Sequence, residues 1–293
     1  MPELARFSSM LRTAQRGGYA VAAFNVYNLE SIAAALRAAI ATRTPVIVAL
    51  GERYFPNMRP ATARAIVDTL LAQHAREGQA VPPVGLHLDH ATSPEHCSEA
   101  IRAGFTSVMI DGSHLPYREN VRLTRAVVEE AHAHGVEVEA ELGGLAAGEA
   151  SHEFATGEEA LTDPDQAREF VAETGVDALA VSVGTVHGLY RGEPRIDLDR
   201  LAAIHARVDV PLVLHGGSGT PAGLLRECVA RGVAKVNVNT EISLAAVHRI
   251  REELEARPRA HFAELGLVAV PEMEEVMKDY IRRFGAAGVL PGI

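Results

Sequence analysis

Short apolar runs rich in valine, alanine and isoleucine recur along the chain, and segments of helical period separate them. The strand-like runs are AVAAFNVY (20–27), PVIVALG (45–51), PVGLHLDH (83–90), SVMIDG (107–112), VEVEAELG (136–143), ALAVSVG (178–184), PLVLHGG (211–217) and AKVNVN (234–239). Helical period governs 29–43, 60–78, 93–104, 117–135, 163–175 and 221–232. Alternation of strand and helix makes consecutive strands parallel. Eight such units with no strand left over favour closure into a (β/α)8 TIM barrel above an open sheet.

Helix ends agree with this segmentation. Gly104, Gly135, Gly175 and Gly232 each follow a helical run just before the next strand, where the chain must turn left-handed. Asp163 before Pro164 has the form of an N-cap followed by proline at the first helical position. After the eighth strand, 240–258 and 271–288 read as extra C-terminal helices that cover the barrel or build a subunit contact. The whole span 1–293 is expected to be one barrel domain.

The apolar runs end in polar residues: Asp89 and His90, Asp111, Glu141, His187, His215 and Asn237. In a closed parallel barrel these side chains arrive at one shared mouth. Three imidazoles delivered there, His90, His187 and His215, make a zinc site with an open position. Any one of them alone reads more simply as a loop histidine among 13. Period two places Lys235, Asn237 and Asn239 on one face of their strand, and Glu137, Glu139 and Glu141 on one face of theirs. Stacked carboxylates are costly to bury unpaired, so Lys235, a metal or a monovalent cation (Na+ or K+) is expected to neutralise them. An internal salt-bridge network serves Glu137 and Glu139 equally well.

Gly216, Gly217 and Ser218 precede one helix, and Asn237 to Thr240 another. Loops after strands seven and eight form the usual barrel phosphate site, with backbone N–H groups facing the anion. Longer glycine-rich stretches at 143–159 and 187–195 follow strands five and six, where barrels place mobile lids.

Composition narrows the partners. The formal net charge of -10 repels nucleic acid and anionic membranes, so an anionic ligand needs local donors, a metal or a few cations. Cys97 and Cys228 both fall in helical segments and are expected to be buried reduced thiols of a cytoplasmic protein. No stretch of the sequence approaches the length that spans a bilayer.

AFNVYN, HLDH, SVMIDGSHLPYREN, VEAELGGL, GTVHG, LVLHGGSG and KVNVNTE, in this order between about Ala20 and Glu241, resemble the successive signatures of the class II, zinc-dependent ketose-bisphosphate aldolases. The resemblance implies reversible cleavage of a ketose 1,6-bisphosphate, fructose 1,6-bisphosphate first, to dihydroxyacetone phosphate and glyceraldehyde 3-phosphate. Tagatose 1,6-bisphosphate or another phosphoketose is the alternative within the family. It implies zinc on His90, His187 and His215, and proton exchange between Asp89 and the C4 oxygen. Asn25, Gly188, Gly216, Gly217, Ser218, Asn237, Val238, Asn239 and Thr240 are then the substrate cradle. Glu149 matches the loop carboxylate that moves the enediolate proton, with Glu153 the next choice, while Asp111 and Glu141 match an alternative metal position. A homodimer or homotetramer is expected. The chain departs from the family's G-G-x-E-D loop, having Ala146, Ala147, Gly148, Glu149 and Ala150, which restricts the loop and removes an acid. A zinc hydrolase and a noncatalytic phosphosugar-binding barrel are the competing readings; neither accounts for the whole set.

Overall fold

The computed structural model describes residues 3–151 and 160–290. In chain order the elements are α1 (Phe7–Gly17), β1 (Val21–Val26), α2 (Leu29–Thr42), β2 (Val46–Gly51), α3 (Pro60–Arg76), β3 (Val84–Ala91), α4 (Pro94–Arg102), β4 (Ser107–Ile110), α5 (Tyr117–Ala133), β5 (Glu137–Leu142), β6 (Ala146–Ala147), α6 (Pro164–Thr174), β7 (Ala178–Val181), β8 (Val186–His187), α7 (Leu198–His205), β9 (Leu212–Leu214), α8 (Ala222–Ala230), β10 (Val233–Val238), α9 (Thr240–Ala256) and α10 (Phe262–Arg283). Eight strands close into a barrel in the order β1-β10-β9-β7-β5-β4-β3-β2. Every pair is parallel, as the alternation of strand and helix requires. The strands are buried on both faces, which is why β2 reads as the unbroken apolar run VIVALG.

The capping signals hold. Asp163 accepts from the backbone N–H groups of Asp165 and Gln166 at the start of α6, with Pro164 at its first position. Gly104, Gly135, Gly175 and Gly232 all have positive φ. Three helical features differ from the expectation. Helix α1 precedes the first strand, and α7 fills the connection between β8 and β9; neither was expected. Helix α10 starts at Phe262, well before the expected start at Pro271, which sits inside it.

Helix α1 closes the end of the barrel where the strands begin. Phe7, Met10, Leu11 and Ala14 bury one stripe at the spacing of an amphipathic helix. Ser8 donates from its N–H (2.8 Å) and hydroxyl (2.5 Å) to Glu137 at the start of β5, so this acid belongs to the barrel floor. The Phe7 ring stacks on His87 at 5.3 Å between centroids. At the opposite end, the buried Tyr280 of α10 carries its hydroxyl to the loop after β9, where it accepts from Gly219 N–H at 3.0 Å and binds Glu241. The C-terminal helices therefore brace a mouth loop.

Candidate active site

Adjacent residues on a strand point to opposite faces, yet Asp89 and His90 both face the mouth. His90 has φ +47°, and the register of β3 on β4 shifts between Leu88 and Ala91. This irregularity turns the imidazole inward beside the carboxylate. A non-glycine residue in that region costs on the order of 1–3 kcal/mol, which the surrounding contacts must offset.

His90, His187 and His215 converge: one ring nitrogen from each lies within 4.8 Å of the others. His90 Nε2 and His215 Nδ1 are 2.7 Å apart. Their outward nitrogens each meet an acid, His90 Nδ1 at 2.9 Å from Asp111 and His215 Nε2 at 2.8 Å from Glu139. A carboxylate behind an imidazole fixes its tautomer and raises its basicity toward a metal. Asp111 is itself held by the Ser113 N–H (3.0 Å) and hydroxyl (2.6 Å). Glu141 Oε2 lies 3.9 Å from His90 Nδ1 and makes no hydrogen bond among the described residues.

Below the histidines, Glu139 pairs with the fully buried Lys235 at 2.8 Å, so the salt-bridge reading is the one realised for this acid. Removing one partner of such a pair costs about 3–5 kcal/mol, because the other charge is stranded. Burial alone would raise the Glu139 carboxyl; Lys235 and His215 outweigh it and bring it down to about 2. Burial, aided by Lys235, pushes His87 down to about 3, and this neutral ring bonds the Ser107 hydroxyl at 2.8 Å.

Asp89 is 1% exposed. Asn25 donates its amide to one carboxylate oxygen at 2.7 Å and Asn237 donates to the other at 2.9 Å. Burial would favour its neutral form, but His90, His215 and Lys235 hold the carboxyl well below the usual range. Burial opposes charge on His90, and Asp89 and Asp111 outweigh it to push that imidazole well above its usual value. For Glu141, burial and the nearby Asp111 act together and raise the carboxyl well above normal.

Two recesses flank this centre. One is lined by Gly188, Gly216, Gly217, Ser218, Asn237, Asn239 and Thr240, nearly the whole predicted cradle. Gly216 has φ +71°, and a Cβ there would lie 2.2 Å from the Val186 carbonyl oxygen, so only glycine fits. Helix α9 starts at Thr240 and presents its N-terminal end to the recess. The Val238 side chain, 1% exposed, packs in the apolar core on the face opposite Asn237 and Asn239. Only its peptide is available to the recess.

The other recess is lined by Asn25, Gly51, Glu52, Arg53, Tyr54, Asp89 and His90. Its Glu52–Tyr54 turn was missed in the sequence, although it directly follows β2, the position from which other strands deliver site residues. The Tyr54 hydroxyl accepts from the Asn239 amide at 2.9 Å and so links the two recesses.

Glu149 is not brought into the cluster. Its backbone exchanges two 2.8 Å hydrogen bonds with Leu189, and its side chain is exposed. Ala146 and Ala147 pair with Val186 and His187, so the departure from the family's glycines forms a short ladder beside a histidine of the cluster. Glu153 lies outside the described residues.

Known proteins agree with this geometry. The family model for class-II fructose-bisphosphate aldolase matches residues 5–289. The chain belongs to the class-II fructose-bisphosphate aldolase family. A probable fructose-bisphosphate aldolase of Bacillus subtilis (strain 168) is 41% identical over 288 residues, which span 97% of this chain and 98% of the relative. The crystal structure of the YdjI aldolase from Escherichia coli K12 superposes with a TM-score of 0.84 at 32% identity, covering 98% of this chain and 99% of the other. A putative fructose-1,6-bisphosphate aldolase from Coccidioides immitis gives a TM-score of 0.81 at 34% identity, covering 97% of each chain. The protein is therefore an aldolase, a carbon–carbon lyase, of a family that uses a metal ion and phosphorylated sugars. Its residues fit such an ion: three converging imidazoles, two of them backed by carboxylates, lie among four buried acids whose one buried lysine partner already pairs with Glu139. No helix among the described residues is long and apolar enough to cross a membrane.

Proposed function

We propose that the chain is a zinc-dependent aldolase that reversibly cleaves a ketose 1,6-bisphosphate, fructose 1,6-bisphosphate first, to dihydroxyacetone phosphate and glyceraldehyde 3-phosphate. The observation that carries the reading is Asp89, hydrogen-bonded by two amides beside three converging imidazoles and in contact with both recesses. His90, His187 and His215 would hold the zinc ion, with Asp111 and Glu141 as the alternative position. Bound zinc supplies the positive charge that stabilises the developing enediolate. Asp89 takes the C4 hydroxyl proton as the C3–C4 bond breaks, and Asn25 and Asn237 aim its oxygens. Gly188, Gly216 to Ser218 and Asn237 to Thr240 receive the phosphate of the dihydroxyacetone half through backbone N–H groups, hydroxyls and amides. A monovalent cation beside that phosphate would offset the surrounding acids. A hydrolase has no use for this second, glycine-lined recess. Exposed apolar side chains on α9 and α10, among them Leu244, Val247 and Phe262, support contact with another copy in a homodimer or homotetramer.

Glu149 is assigned the proton at the enediolate carbon, which requires the exposed loop to close over the site. The test is solvent exchange of that proton in dihydroxyacetone phosphate without any aldehyde, followed by NMR in deuterated water. The parent protein exchanges it, and Glu149→Gln slows exchange by about 100-fold or more while phosphate affinity stays unchanged. Unaltered exchange in Glu149→Gln would assign the proton to another group. Aldol products from a panel of aldehydes with dihydroxyacetone phosphate, resolved by stereochemistry at C4, separate fructose from tagatose specificity.

A further inference from the structure

The two recesses are joined through Asp89, which lines one of them and accepts from Asn237 of the other. Cleavage at C3–C4 leaves the C4 oxygen at Asp89. With the dihydroxyacetone phosphate half in the glycine-lined recess, the aldehyde half must extend into the recess bounded by Asn25 and the Glu52–Tyr54 turn.

The charged and hydroxyl groups of that turn are not equivalent. Glu52 is committed to the start of α4, accepting from Thr92 N–H (2.6 Å) and hydroxyl (3.0 Å), with His96 Nδ1 at 3.1 Å. Tyr54 is engaged by Asn239. Arg53 is exposed and has no ion pair among the described residues, its guanidinium resting 5.9 Å from the Tyr54 ring centroid. Among the described residues that line the recess, it is the one cationic side chain besides His90, which belongs to the imidazole cluster. The surroundings repel a second anionic group, since the chain carries a net charge of -10 and Asp89 is at hand. A guanidinium offers paired N–H donors that match a phosphate or carboxylate.

Resting on the proposed aldolase reading, we infer that Arg53 is the specificity-determining residue of the acceptor side: it receives the anionic terminus of the aldehyde. The enzyme is thereby selective for short hydroxyaldehydes ending in phosphate or carboxylate over neutral ones. Phosphate and carboxylate share this recognition chemistry, and separate acceptors distinguish them.

The experiment measures condensation of dihydroxyacetone phosphate with glyceraldehyde, glyceraldehyde 3-phosphate and tartronate semialdehyde, for the parent protein, Arg53→Ala and Arg53→Lys. The parent prefers at least one anionic acceptor over glyceraldehyde. Arg53→Ala lowers kcat/KM for that acceptor by about 10- to 100-fold, the loss expected for a charge-assisted hydrogen-bond pair. Glyceraldehyde changes by less than about threefold, and solvent exchange of dihydroxyacetone phosphate alone is unchanged. Arg53→Lys falls between the two. A loss confined to glyceraldehyde 3-phosphate identifies the terminus as phosphate, and one confined to tartronate semialdehyde as carboxylate. Equal losses for all three acceptors, or no loss for either anionic one, overturn the inference. Failure of the aldolase reading itself is seen separately, as absence of dihydroxyacetone phosphate exchange in the parent protein.

Discussion

Replacing His215 by alanine removes the bound metal and lowers aldol cleavage by roughly four orders of magnitude or more. His215 is the pivot of the cluster, with one ring nitrogen 2.7 Å from His90 and the other 2.8 Å from Glu139. The substitution deletes one of three neutral ligands and leaves a polar gap between the acids. Two imidazoles with exchangeable positions hold zinc far more weakly than three. Metal analysis of the purified variant after gel filtration should find well below one equivalent, with the far-ultraviolet circular dichroism of the barrel retained. The Glu139–Lys235 pair remains to compensate its own charges, so the fold survives. A variant that keeps a full equivalent of metal would remove His215 from the ligand set.

Asp89→Asn gives the complementary result, with metal retained and turnover reduced by about 100- to 10,000-fold. Asp89 contributes no nitrogen to the cluster, and its two oxygens are occupied by the Asn25 and Asn237 amides. An asparagine of the same shape cannot accept the C4 proton. It also presents an NH2 group to one of two amide donors, so one hydrogen bond becomes a donor–donor contact. Single-turnover cleavage of fructose 1,6-bisphosphate, together with metal content, separates the two variants. Near-normal cleavage by Asp89→Asn would place the proton transfer on another residue.

The barrel was legible because its strands are buried on both faces and read as uninterrupted apolar runs between helices. Strand ends were less so. The runs at 178–184 and 211–217 extend beyond β7 and β9, since the polar residues at the mouth continue the sequence pattern after ladder pairing has stopped. Helix α1 has an apolar stripe, Phe7, Met10, Leu11 and Ala14, yet it precedes the first strand, where the repeating unit has no place for a helix. Helix α7 spans eight residues, too short for its period to stand out from the preceding polar loop. In α10, Pro271 suggested a first turn, but the helix continues through it.

The site was legible where chemistry is carried by residue type at a strand end, as for the three histidines, Asp89 and the glycines after β9. The inward turn of His90 was not, because its left-handed backbone occurs without a glycine to mark it. The Glu139–Lys235 pairing followed from alternation in β5 and β10, although the sequence could not choose between a lysine and a cation as the neutralising charge. The Glu52–Tyr54 turn carries no glycine-rich or histidine signature, and its place at the mouth emerges only once β2 and β3 lie side by side.

Metal removal and return is the most direct test of the account. The protein is stripped with a chelator, assayed for cleavage of fructose 1,6-bisphosphate and for solvent exchange of dihydroxyacetone phosphate, and then titrated with zinc or cobalt. Both activities should vanish in the stripped protein and return with one equivalent of metal per chain. Full activity in metal-free protein, with a lysine adduct trapped by borohydride, would contradict it.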